Sequence, residues 1–171
     1  MKTAQQKGPQ IVSIVGRQGG GKTTLIEALV PILSRRGLRV GTAKDAPHEE
    51  ALDDAGSDSA RHRAAGAERT LLLGKSERAL FCRVAADEGV EDEIRRLFAG
   101  LDLVLVEGLK RGPFPRVEVW RSGCEPPLAR ELPVLAVVTD ADVALPPGTP
   151  RLSPADPGRV ADFLLAPGTR S

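Results

Sequence analysis

Four residues near the start of the chain have the spacing of a phosphate-binding loop. Gly16, Gly21, Lys22 and Thr23 satisfy the pattern G-x-x-x-x-G-K-[ST]. Glycines let successive backbone N–H groups approach phosphate oxygens closely, Lys22 can reach the β- and γ-phosphates, and the Thr23 hydroxyl can bind Mg²⁺. Such a pattern also arises by chance, but this one lies between a predicted buried strand and a predicted helix. The predicted nucleotide-binding residues of this P-loop are Gly16, Gly19, Gly20, Gly21, Lys22, Thr23 and Thr24.

A carboxylate follows a second predicted buried strand, residues 101–106. Ligands gather where the strands of an open α/β sheet end, so Glu107 could hold an Mg²⁺-bound water or orient the attacking one. The Gly108 N–H could face the γ-phosphate. The alternative is an acidic residue that caps an exposed strand end. We predict Lys22 and Glu107 as catalytic residues, and Thr23 and Glu107 as metal-binding residues.

Two further strand ends carry polar residues of uncertain role. Lys44 could neutralise phosphate or substrate charge and Asp45 could sense the metal, although a solvated strand end explains both equally well. Asp140 follows the predicted strand 134–138 and could accept paired hydrogen bonds from the N1–H and N2–H₂ of guanine, a donor pair that adenine lacks. A turn aspartate is an equal alternative. Lys44, Gly108 and Asp140 complete the predicted nucleotide site.

The remaining arginine, histidine and cysteine candidates give no clear prediction of a further binding or metal site. Arg17 could contact phosphate across a dimer interface or lie in solvent, and solvent is the favoured interpretation. His48 and His62 lack metal-ligand spacing. Cys82 and Cys124 stand far apart with no C-x-x-C pattern, so neither a disulfide framework nor a zinc site is expected.

Composition indicates a cytoplasmic, globular protein. The 171 residues are 41% hydrophobic and carry a net charge of +1, which argues against a bulk electrostatic attraction to nucleic acid or an anionic membrane. The polar N-terminus lacks the apolar core of a signal peptide, and no stretch approaches the roughly 20 apolar residues of a membrane span. We expect a flexible tail at residues 1–9 and a single P-loop domain at 10–168.

Strands and helices alternate in the way that positions such a loop. The sequence predicts a strand at residues 11–15, a helix at 22–36 that Pro31 should kink, and a strand at 38–43, which together form a βαβ unit with parallel strands. The expected fold is a three-layer α/β P-loop NTPase fold with a mostly parallel sheet and an added hairpin. Further predictions are a loop at 45–57, a helix at 58–67, a hairpin from 69–73 and 78–85, a helix with an apolar stripe of Val90, Ile94, Leu97 and Phe98, a half-exposed strand at 116–121, and a helix that starts at Asp156 and Pro157.

Several of these motifs, in this order, resemble the MobB family, the GTP-binding proteins of molybdopterin-guanine dinucleotide biosynthesis. The P-loop alone would be unspecific, and the resemblance extends over nearly the whole chain after the tail. The motifs are G-x-x-x-x-G-K-T-T at 16–24, Lys44, G-S-D-S at 56–59 followed by R-A-A-G-A at 63–67, V-E-G-L-K at 106–110, and V-T-D at 138–140.

The resemblance implies a function and partners. It implies GTP and Mg²⁺ binding with slow hydrolysis, a homodimer, and partnership with MobA, the nucleotidyltransferase that attaches GMP to molybdopterin. Lys22 and Thr23 would hold phosphate and metal, Glu107 would take the Walker-B role, and Asp58 and Arg63 would line the acceptor side of the cleft. The family often has K-H-x-H-H where this chain has K-D-A-P-H-E at residues 44–49, so this chain keeps one of those histidines and adds acidic residues.

Two other functions are compatible with a P-loop. A kinase for a small metabolite needs an arginine-bearing lid, for which Arg61, Arg63 and Arg111 are candidates without a compact lid pattern. A nickel metallochaperone GTPase needs Cys/His clusters, which the sequence lacks. The homodimer that the resemblance implies would use the hairpin at residues 69–85, whose exposed edge could pair with a second copy.

Overall fold

The computed structural model describes residues 8–47, 52–83 and 89–169 of the chain. Most of the predicted tail, part of the predicted loop at 45–57 with His48, and Val84 and Ala85 of the predicted second hairpin strand lie outside them. The contacts group the chain into two units, Met1–Asp45 with Val90–Ser171, and Ala46–Gly89. The single domain at 10–168 therefore stays a prediction, and each unit is described by itself.

The first unit is built on a six-stranded sheet in which every pair of neighbouring strands is parallel. The strand order is β2-β5-β1-β6-β7-β8, so β5 lies between the two strands of the predicted βαβ unit. The mostly parallel α/β sheet is confirmed. In chain order the strands of the protein are β1 (Gln10–Val15), β2 (Val40–Lys44), β3 (Arg69–Leu73), β4 (Arg78–Cys82), β5 (Leu103–Glu107), β6 (Arg116–Val119), β7 (Ala136–Val138) and β8 (Arg151–Leu152).

Helices cover both faces of this sheet and confirm the three-layer prediction. The helices of the protein are α1 (Lys22–Arg35), α2 (Asp58–Ala64), α3 (Val90–Leu97) and α4 (Pro157–Leu165). On one face α1 and α4 pack over residues such as Val12 and Leu105, and on the other α3 packs its Ile94 against Val104. Within the described residues, no helix is both long and apolar enough to cross a membrane.

The ends of two helices follow the sequence signals. Gly37, with φ 85°, follows α1 in the left-handed conformation that ends many helices. The Asp156 carboxylate caps α4 by accepting the Arg159 N–H at 2.9 Å, and Pro157 occupies the first turn. Pro31 lies inside α1 as predicted. The expected stripe on α3 is wrong in part, because Val90 and Leu97 are exposed while Ile94 is buried.

The half-exposed strand predicted at residues 116–121 is a second error. β6 lies inside the sheet between β1 and β7, and Val117, Glu118 and Val119 are all buried. The alternation of polar and apolar residues suggested one solvated face, but both faces of a strand inside a parallel sheet are covered. A buried glutamate therefore produced the misleading pattern.

The second unit contains α2 and the predicted hairpin. Ser57 caps α2 by accepting the Ala60 N–H at 3.0 Å, and β3 pairs antiparallel with β4. Polar contacts meet at Asp53, whose carboxylate accepts hydrogen bonds from the hydroxyls of Ser57 and Ser59. The same carboxylate forms an ion pair with Arg63 at 2.9 Å. These bonds, with that of Ser59 the largest cause, lower the pKa of Asp53.

Candidate functional site

The loop between β1 and α1 packs directly against the end of β6. A Cβ atom at Gly16 would lie 2.3 Å from the Val119 carbonyl oxygen, and one at Gly20 would lie 2.9 Å from the same oxygen. Gly16, Gly19 and Gly21 have positive φ angles of 155°, 74° and 95°. Gly16 and Gly20 are therefore required by packing inside the protein, in addition to any close approach of a ligand.

The loop presents a row of backbone donors at the N-terminus of α1. The Gly20 N–H donates to the Arg17 carbonyl at 3.2 Å, which closes the turn. Around Gly19 a Cβ would meet nothing within 4 Å, so that part of the loop is open. Unpaired donors at a helix start suit a polyphosphate. Within the described residues no backbone or side-chain acceptor is recorded for the N–H groups of Gly19, Gly21, Lys22, Thr23 and Thr24.

The Lys22 side chain folds back over the loop that precedes it. Its Nζ donates to the carbonyl oxygens of Arg17 at 3.0 Å and Gly16 at 3.3 Å. The ammonium group thus lies against the same turn in which, among the described residues, no acceptor is recorded for the N–H groups of Gly19 and Gly21. This placement fits the predicted phosphate contact, and the catalytic role of Lys22 stays a prediction.

The two residues predicted to bind metal touch each other. The Thr23 hydroxyl donates to Oε1 of Glu107 at 2.9 Å. The sheet register accounts for the contact, because Glu107 is paired with Ile14 of β1, immediately before the loop. Among the described residues there is no cluster of three or more His, Cys, Asp or Glu side chains for a metal. A hydroxyl and one carboxylate fit Mg²⁺ bound mainly through phosphate oxygens and water.

The predicted role of the Gly108 N–H is wrong. This group donates to the Ile14 carbonyl at 3.0 Å and so continues the β1–β5 ladder instead of facing a phosphate. Gly108 has φ 91°, and a Cβ there would lie 3.1 Å from the Asp45 side chain. Asp45 in turn accepts the N–H of Leu109 at 3.0 Å, and Leu109 has the unusual φ of 53°. Asp45 therefore holds the strained turn after β5.

Lys44 and Asp140 lie at the carboxyl edge of the sheet, as expected. Lys44 is an exposed residue at the end of β2 and is paired in register with Glu107. Asp140 is exposed one residue beyond the buried Thr139, whose Oγ1 accepts the Ala141 N–H at 3.1 Å and so fixes the turn. The contacts place both residues without testing their predicted binding roles.

Arg17 does not lie free in solvent, which corrects the favoured interpretation. Its guanidinium pairs with Glu125 at 3.1 Å and with Glu131 at 2.8 Å, and its side chain is only 24% exposed. The sequence could not show this, because both carboxylates are more than 100 residues away along the chain. Arg17 ties the P-loop to the segment of residues 121–131 that follows β6.

Sequence reasoning missed Glu118, which lies beneath this segment. Its carboxylate is fully buried and accepts the N–H groups of Leu128 at 2.6 Å and Ala129 at 2.8 Å, at the start of a short 3-10 helix, Leu128–Arg130. Burial raises the pKa of Glu118, and the two backbone hydrogen bonds oppose that rise. Because Glu118 is paired with Val15, it supports the base of the P-loop.

Arg121 was also missed. Its guanidinium lies over the last glycine of the loop, with Cζ, Nε and Nη2 each 3.0 Å from the Cβ position of Gly21. The rule that drew attention to Lys44 and Glu107 applies to Arg121 as well, since it too follows a parallel strand at the carboxyl edge. The residue escaped because β6 was interpreted as a half-exposed strand.

Asp58 and Arg63 both have partners within the second unit. Asp58 is exposed and pairs with Arg61 at 3.4 Å. Arg63 pairs with Asp53 and lies 4.3 Å from the ring centre of Phe81, which ties α2 to the hairpin. The acceptor-side role implied for Asp58 and Arg63 stays a prediction.

Comparisons with known proteins agree with this architecture. The family MobB, molybdopterin guanine dinucleotide synthesis protein B, matches residues 11–140. The molybdopterin-guanine dinucleotide biosynthesis adapter protein of Escherichia coli (strain K12) is 32% identical over 165 residues, 91% of each chain. The protein of the same name from Haemophilus influenzae is 34% identical over 132 residues, which cover 76% of this chain and 74% of that protein. The crystal structure of Bacillus subtilis MobB superposes with a TM-score of 0.71 at 27% identity, and the match covers 95% of this chain and 98% of that one.

Proposed function

The chain belongs to the family of molybdopterin guanine dinucleotide synthesis protein B (MobB), and from this premise we propose that it is a GTP-binding adapter protein in molybdopterin-guanine dinucleotide biosynthesis. The observation that carries the proposal is the 2.9 Å contact between Thr23 and Glu107. It joins the hydroxyl of a P-loop to a carboxylate on the neighbouring strand, the pair of groups that P-loop proteins use to hold Mg²⁺.

GTP would bind through the loop and the first turn of α1. The N–H groups of Gly19, Gly21, Lys22, Thr23 and Thr24 would face the phosphates. The Lys22 ammonium would exchange its two carbonyl partners for phosphate oxygens. Mg²⁺ would supply neutralisation of the phosphate charge and would be held by Thr23 and Glu107. In this arrangement Glu107 acts on the metal or its waters, which supports slow hydrolysis.

Guanine selectivity would come from Asp140. Its exposed side chain lies in the turn that Thr139 fixes. A carboxylate at this position can accept hydrogen bonds from both guanine donors. The experiment is a thermal-shift panel with GTP and ATP, each with and without Mg²⁺, because a ligand that binds the native state raises the unfolding midpoint. We expect the largest shift with Mg²⁺ and GTP.

Two variants sharpen this panel. Asp140→Ala should bring the GTP shift close to the ATP shift, and Asp142→Ala, a neighbouring exposed aspartate, should leave the preference unchanged. An equal or larger shift with ATP in the wild-type protein would contradict GTP binding and favour the kinase alternative. The contacts of Arg61 with Asp58 and of Arg63 with Asp53 give that alternative no support.

The adapter role requires partners. We propose a MobA-type guanylyltransferase as the protein partner, with molybdopterin as the acceptor that it modifies, in the cytoplasm and without nucleic acid or membrane. A homodimer would form through the hairpin, which exposes Leu71, Leu73 and Leu80 by 55%, 70% and 50%. Sedimentation that showed a monomer independent of concentration would contradict the dimer.

A further inference from the structure

Arg17 within the P-loop and Arg121 beside it have different partners. Arg17 is neutralised by Glu125 and Glu131. Arg121 is exposed, and within the described residues no carboxylate or carbonyl is recorded as a partner of its guanidinium, which packs over Gly21. One arginine therefore serves the fold, and the other retains all of its hydrogen-bond donors.

The backbone that carries Arg121 is firmly anchored. Trp120 is buried, and its indole N–H donates to the Glu125 carbonyl at 2.8 Å. The Cys124 N–H donates to the Arg121 carbonyl at 3.3 Å and closes a turn. The two carboxylates that bind Arg17 lie in the same segment, so Arg17 acts as a positioning residue that holds residues 121–131 against the loop.

Other groups that attract anions lie beside Arg121. The guanidinium lies beside the first turn of α1, where unpaired N–H groups carry partial positive charge. The ammonium of Lys22 belongs to the same turn. An anion placed among these groups would be attracted by the guanidinium, the ammonium and the N–H groups together, and a guanidinium binds phosphate oxygens in a fork.

We propose that Arg121 is a phosphate-contacting residue that binds the phosphate chain of the nucleotide held by the P-loop. This inference rests on the proposed function, because it needs a nucleotide in the loop. It also gives Gly21 a second reason to be glycine, since any side chain there would displace the Arg121 guanidinium.

The test compares Arg121→Ala, Arg121→Lys and a control, Arg159→Ala, by isothermal titration with Mg²⁺-GTP and with GMP. Arg159 is an exposed arginine of α4 for whose side chain no contact is recorded among the described residues. We expect Arg121→Ala to weaken GTP binding by about 10- to 100-fold and GMP binding by less, because a charge-assisted contact to the phosphate chain is lost. Arg121→Lys should restore part of the affinity, and Arg159→Ala should match the wild type.

The outcomes separate this inference from the proposed function. A purely structural role for Arg121 would change GTP and GMP affinity alike and would gain nothing from lysine, and that result would overturn the inference. GTP affinity unchanged in Arg121→Ala, while Lys22→Ala loses binding, would also overturn it and leave the proposed function standing. Wild-type protein that binds neither nucleotide would overturn both.

Discussion

The hydroxyl of Thr23 lies 2.9 Å from Oε1 of Glu107, although the two residues are 84 positions apart in the chain. The contact joins the first turn of α1 to the end of β5. It follows from the strand order, which places β5 directly beside the strand that leads into the P-loop. The fold thus brings a candidate metal-binding pair together at one edge of the sheet.

Removal of either member of this pair should abolish the gain in GTP affinity that Mg²⁺ provides. We expect Thr23→Val and Glu107→Gln to weaken GTP binding by about tenfold or more in Mg²⁺ and to change it little in EDTA, since each removes one oxygen ligand. Titration calorimetry in both conditions checks this. Thr42→Val, at an exposed threonine of β2, is the matched control. An equal loss of affinity with and without Mg²⁺ would argue against a metal site.

Two glycines of the loop should respond differently to alanine. Gly16→Ala should destabilise the protein by more than about 3 kcal/mol, because its Cβ would lie 2.3 Å from a backbone oxygen. Gly19→Ala should cost only about 1 kcal/mol, since its Cβ meets open space and only the positive φ of 74° opposes it. Urea denaturation measures both, and similar losses would show that the loop does not pack as described.

Glu118 should be a strong determinant of stability. Glu118→Ala leaves two buried N–H groups, those of Leu128 and Ala129, without acceptors, and should cost about 2–4 kcal/mol. Glu118→Gln keeps one acceptor oxygen and should cost less. Urea denaturation gives both values. A change within about 0.5 kcal/mol for the alanine variant would mean that the carboxylate is not the acceptor of these bonds.

The second unit should lose a stabilising contact in acid. The pKa of Asp53 is lowered in the folded state, so the Asp53 carboxylate binds a proton more tightly in the unfolded chain. The stabilisation is therefore fully present above the ordinary aspartate pKa of about 3.9. It is lost as the pH falls through the lowered value. We expect Asp53→Asn to accelerate hydrogen exchange in α2 at pH 6, with a difference from wild type that disappears in stronger acid. Asp54→Asn, at an exposed neighbour, should show no such difference. A difference that persists below the lowered pKa would contradict the assignment.

Much of the fold could be predicted from the sequence because the signals for strands, helices and their ends are local. The strand and the helix on either side of the P-loop pattern, the cap at Asp156 and the glycine after α1 each depend on a few neighbouring residues, and the structure confirms them. The resemblance added the family, which the comparisons confirm. Glu107 was predicted as a site residue because a general rule places ligands where parallel strands end, and its binding role stays a prediction.

The errors occurred where distant residues decide the environment. Glu118 looked like a residue on the solvated face of a half-exposed strand because the N–H groups that donate to its carboxylate, those of Leu128 and Ala129, come ten and eleven residues later. Arg17 looked solvated because its carboxylates are far away in the chain. The Gly108 N–H was assigned to a phosphate because the β1–β5 pairing that uses it was not known. Each error reflects a tertiary contact that no local pattern encodes.

The most direct test of the central claim is titration calorimetry of Mg²⁺-GTP with the wild-type protein, with Lys22→Ala, and with Lys75→Ala as the control at an exposed hairpin lysine. The P-loop assignment predicts that the wild type and Lys75→Ala bind with equal affinity and that Lys22→Ala, still folded, shows no measurable binding. Unchanged affinity in folded Lys22→Ala would contradict it.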